Sequence, residues 1–172
     1  ASMMYGVGGT FRGRHHELYR EGANIALGSD SANWTSGFNI GDQALLAVLT
    51  AREKTGRADA LTAEDALKMA TVNGARAVGM ADRLGSLEVG KRADLVVRRE
   101  DLPEAHPGLD PVRSVVYSSR SKSIDTVIVN GEVIIENGHS TRVDEEELYA
   151  RAREASRNVL RRMGRNGPAD RG

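Results

Sequence analysis

The chain has no cysteine. That excludes disulfides and thiolate metal sites, and it fits a reducing cytoplasm. It also has no net charge: 24 Lys and Arg balance 24 Asp and Glu over 172 residues. The balance argues against a broad electrostatic surface for nucleic acid and against a polybasic membrane patch. No apolar run reaches membrane-spanning length, and no signal-peptide pattern opens the chain. Aromatics are scarce, with one Trp and two Phe. The four histidines are His15, His16, His106 and His139. None shows the H-x-H or H-x-x-x-H spacing that brings two imidazoles to one ion. His15 and His16 are adjacent, so a helix turns them about 100° apart. All four are expected at the surface. A Gly-x-Ser-x-Gly elbow and a P-loop are also missing. These absences describe a folded cytoplasmic protein with no nucleic-acid or membrane partner. Its length suffices for one domain with a core, or for parts of two.

Helix and strand patterns then divide the chain. Residues 7–14 are glycine-rich without the dinucleotide spacing and read as a loop. A short helix from His15 is expected to stop at Gly22, which takes a left-handed cap without strain. Ile25-Ala26-Leu27 reads as a buried strand. Ile40 to Lys54 reads as a helix with Ile40, Ala44, Leu45, Val48 and Leu49 on one face, capped by Asn39 and ended at Gly56. Leu61 to Val78 reads as a second helix. Thr62 and Asp65 form its capping box, and a stripe of small residues runs from Ala63 to Val78. Gly74 weakens this helix by roughly 1 kcal/mol relative to Ala, which close packing or a break at Asn73-Gly74 would explain.

From Gly85 the period changes to two. Ala93 to Arg98 reads as a strand and Val112 to Tyr117 as a further one. Ile124 to Val129 and Glu132 to Glu136 flank Asn130-Gly131, a strong hairpin signal because both residues of a type I′ turn need positive φ. Asp94 reads as a structural turn residue. A last helix starts at Asp144, with Leu148, Ala152, Ala155, Val159 and Met163 as its apolar stripe and an Arg-rich polar face. Residues 164–172 are expected to fray.

Asp30 closes the apolar run Ile25-Ala26-Leu27-Gly28-Ser29. In α/β folds, chemistry gathers where parallel strands end and loops begin. From position alone, Asp30 is either a catalytic carboxylate or one that fixes a loop. The loop after it holds Ser31, Asn33 and Trp34, which could line a substrate pocket or pack the loop down.

Four segments resemble those of the metal-dependent amidohydrolases, in the branch of cytosine deaminases, chlorohydrolases and adenosine-analogue deaminases. They are Leu27-Gly28-Ser29-Asp30, Thr71-Val72-Asn73-Gly74-Ala75-Arg76-Ala77-Val78-Gly79, the run from Gly85 to Val97, and Val127-Ile128-Val129-Asn130-Gly131. They occur in the family's order and correspond to about the last third of a family enzyme. The resemblance implies an α/β fold: the C-terminal part of a TIM-like (β/α)8 barrel, plus the C-terminal strands of a small β-sandwich. Residues 1–84 would supply the last barrel strand and helices, residues 85–143 the sandwich strands, and residues 144–163 a C-terminal helix. It further implies one divalent metal, zinc or iron, which activates water toward a small nitrogen-containing substrate. Asp30 would be a metal ligand and the proton-transferring carboxylate, with Ser31, Asn33 and Trp34 near the substrate.

The family's His-x-His and its later metal-binding histidines have no counterpart here. Ser29 stands for the usual Thr, and Asn39 for a frequent Asp. Ala1 to Gly6 reads as the middle of an apolar segment. Two expectations follow. The chain is the C-terminal portion of a hydrolase acting on carbon–nitrogen bonds other than peptide bonds, or on a carbon–chlorine bond. Alternatively, it is an inactive remnant or a module that pairs with a separate N-terminal half. Under both, the chain alone binds no metal and is inactive. A homo-oligomer, or association with the missing N-terminal part, is expected.

Overall fold

Small residues on two helices let their backbones approach, and the core forms where they meet. The computed structural model describes residues 13–29, 38–118 and 121–164. Its first helices are α1 (His15–Arg20), α2 (Ile40–Thr55), α3 (Ala63–Ala70) and α4 (Val72–Ala77). α2 packs on α3, α3 on α4, and α1 on α2. Val48, Leu61, Met69 and Val116 are fully buried among Ala44, Ala47, Ala51, Ala63 and Ala66. Among the described residues, no helix is long and apolar enough to cross a membrane.

The helix ends follow their caps. Asn39 accepts a bond from Gly41 N–H, and Gly56 ends α2 in the left-handed region at φ 64°. Thr62 and Asp65 form both arms of the capping box on α3. The buried face of α2 is rotated from the expected one. Gln43, Ala44, Ala47, Val48, Thr50 and Ala51 point inward, and Leu49 is exposed. Thr50 stays inside because its hydroxyl donates to Leu46 O at 2.7 Å.

The expected single helix from Leu61 to Val78 is broken at Thr71 (φ −126°, ψ −94°), two residues before Asn73-Gly74. Thr71 Oγ1 donates to Leu67 O at 2.7 Å, which competes with the regular ladder at the break. Ala77 and Val78 of the expected buried stripe are exposed.

Residues 112–117 are not a strand. Pro111–Arg113 forms a helical turn, α5, and Ser114–Ser118 a π-type turn. Asp110 caps it by accepting from Arg113 N–H at 3.0 Å, with Pro111 at the first helical position. Val116 thereby reaches the helical core.

β1 (Leu95–Arg98), β2 (Ile124–Val129), β3 (Glu132–Glu136) and β4 (His139–Ser140) form one antiparallel sheet in the order β1-β2-β3-β4. Leu95 pairs with Ile128 and Val129 with Glu132. Asn130 and Gly131 turn at φ 51° and 84°, as a type I′ hairpin demands. Asp94 is structural, as expected: its carboxylate accepts from Asn130 N–H, and Ala93 O accepts from Gly131 N–H. No second sheet lies against this one among the described residues. The last helix, α6 (Glu145–Arg162), is capped by Asp144, which accepts from Glu147 N–H at 3.0 Å. Its apolar stripe buries nothing among the described residues. The expected frayed tail from residue 165 onward falls outside them.

Candidate functional site

Asp30, Ser31, Asn33 and Trp34 lie outside the described residues. The segment that leads to Asp30 in the chain is described, and three hydrogen bonds tie it to α3 and α4. Residues 23–29 carry no regular secondary structure, so the expected strand Ile25 to Leu27 has no ladder among the described residues. Two of its backbone groups are paired with α3 and α4 instead. Leu27 N–H donates to Met69 O at 3.2 Å. Asn73 Nδ2 donates to Ile25 O at 3.0 Å, and Asn24 Nδ2 donates to Asn73 O at 3.1 Å. The side chains of Ile25 and Leu27 pack against the helical core.

Asn73 is therefore the clasp of this segment. The break at Thr71 frees α4 from the line of α3 and sets Asn73 in its first turn. Asn73 is 4% exposed, so its bond to Ile25 O has little competition from water. Its place in the Thr71 to Gly79 motif marked it, but the sequence suggested only a helix break there. Its partners lie 48 and 49 residues away.

Replacing Asn73 by Ala removes the partner of the half-buried Ile25 carbonyl, a loss of about 1 kcal/mol. Urea unfolding should show that loss, and the Leu27 amide should exchange faster with deuterium. Unchanged exchange at Leu27 would remove Asn73 from this role.

The second motif meets the first at the same place. Gly85 has φ +95°, and a Cβ there would lie 2.8 Å from Ala75 Cβ and 2.9 Å from Val72 Cα. The connection to the sheet is thus seated directly on α4. Beyond it, Lys91 Nζ donates to Ser86 Oγ at 2.6 Å and lies 3.3 Å from Glu88, closing the turn before β1.

His15 and His16 are buried, contrary to the surface position expected for them. α1 is short and lies against α2, so the adjacent rings sit edge to face at 5.5 Å between centroids. A carbonyl can only accept, so His15 Nε2–H donates to Ala47 O, at 2.9 Å. Burial holds the His15 imidazole below its ordinary pKa; the Ala47 bond opposes this, while His16 and Lys54 reinforce it. Next to them, Tyr19 Oη donates to Asp65 Oδ1 at 3.1 Å, and burial, then Asp65, raises the phenol.

The folded His15 imidazole stays neutral where the unfolded one, near pKa 6.5, is protonated. Its stabilisation is complete above that value and is lost as pH falls through the depressed folded pKa. The urea midpoint should drop between pH 7.5 and 5.5, and drop less in His15→Gln. An equal drop in both would exclude His15 as the source.

Among the described residues, no three His, Asp or Glu side chains are placed to hold a metal ion. His106 is exposed. His139 lies 3.0 Å from Glu145, whose carboxyl is held low by His139 and by Ser140 N–H. The described residues therefore do not fit the metal that the sequence resemblance implies.

Residues 8–134 match the amidohydrolase family. The chain belongs to that family. It is 38% identical over 134 residues to a 5-methylthioadenosine/S-adenosylhomocysteine deaminase of Moorella thermoacetica, covering 78% of this chain and 31% of that protein. An S-triazine hydrolase of Gordonia rubripertincta is 34% identical over 156 residues, covering 88% and 32%. The structure superposes on a zinc-bound adenosine deaminase of Xanthomonas campestris with a TM-score of 0.80 at 30% identity, covering 85% of this chain and 33% of that one. This amidohydrolase chain thus spans about a third of the length of the relatives it matches. Its mixed helix and strand fold is similar to the corresponding part of that adenosine deaminase.

Proposed function

We propose that this chain is the C-terminal portion of a metal-dependent hydrolase that acts on carbon–nitrogen bonds other than peptide bonds in small nitrogen-containing substrates. The observation that carries this reading is the similarity to deaminases and a triazine hydrolase across four-fifths or more of the chain. In this reading residues 1–84 close a (β/α)8 barrel, residues 85–143 add strands to a β-sandwich, and residues 144–163 form the terminal helix. Asp30 is the carboxylate the chain contributes to the site, and it takes a proton from the attacking water. Ser31, Asn33 and Trp34 lie beside the substrate. The Asn73 clasp supports this role, because a reacting group must be held within a fraction of an ångström by locked neighbours.

The zinc or iron of this reading takes its remaining ligands from the part of the relatives' length that the chain does not span. The chain alone is then inactive. The test is to assay the full-length protein on amino-substituted purine nucleosides and on amino- and chloro-substituted triazines, following ammonia and chloride. Ammonia release from the purine nucleosides is expected. Chloride release alone would move the reaction to dechlorination, and neither product would overturn the proposal.

A further inference from the structure

We draw no further inference here: the strongest candidate, the side-chain cluster between α2, α5 and the turn after it, in which the Arg52 and Arg113 guanidinium groups lie 5.4 and 5.7 Å from the centre of the Tyr117 ring, carries none, because nothing in the structure shows what covers it in a chain that spans about a third of its relatives' length.

Discussion

Replacing Asp30 by Asn in the full-length protein is expected to lower kcat by about 10²–10⁴-fold, the range for removing a positioned proton acceptor. The amide keeps the size of the carboxylate and cannot accept the proton from water. KM should change far less, because the loss falls on the reacting step and not on substrate recognition. The circular dichroism spectrum and the urea midpoint should stay near those of the parent. Asn73→Ala gives the complementary result. Its carbonyl partner Ile25 lies five residues before Asp30 in the chain, so under the proposed function its loss is expected to act through the placement of Asp30 and not through its chemistry. It should lower kcat less, and it should leave unmoved any pH dependence that Asp30 imposes. A parent-like kcat in Asp30→Asn would remove the carboxylate from the reaction.

Gly85→Ala carries the largest expected loss of stability, about 2–5 kcal/mol. Two costs add there. A Cβ in the left-handed region costs about 1–2 kcal/mol, and pushing it into packed neighbours costs about 1–3 kcal/mol. Gly90 separates the two. It has φ +93° but nothing within 4 Å of an added Cβ, so Gly90→Ala incurs the backbone cost alone. Urea unfolding of the two variants should therefore differ by the contact with Ala75 and Val72. Equal midpoints would mean that α4 yields to the methyl group, and the seating of the sheet connection on α4 would not be rigid.

These two positions show what could be read from the chain and what could not. Local chemistry was legible. Asn39, Thr62 with Asp65, Asp144 and Asn130-Gly131 each act on residues two or three away, and each sits where its type predicts. Long-range satisfaction was not. His15 is buried because Ala47 O, 32 residues on, takes its Nε2–H, and an adjacent histidine pair gives no sign of that. Residues 112–117 failed for another reason. A short apolar run with two adjacent valines fits a strand or a buried turn equally, and the deciding signal was the Asp110-Pro111 start. At the candidate site the motifs marked Asn73 and Gly85 without saying that they meet. Only the fold puts Val72 and Ala75 against Gly85 while Asn73, between them in the chain, reaches Ile25.

The amidohydrolase reading rests on a division of labour, in which this chain brings Asp30 and the rest of the protein brings the other metal ligands. Metal content measured on the full-length protein and on the 172-residue chain, both purified without chelator, tests that division most directly. About one zinc or iron per full-length chain is expected, lost in parallel with hydrolytic activity on chelation, and none on the 172-residue chain. Stoichiometric metal with activity on the 172-residue chain, or a metal-free full-length protein that hydrolyses its substrate, would contradict it.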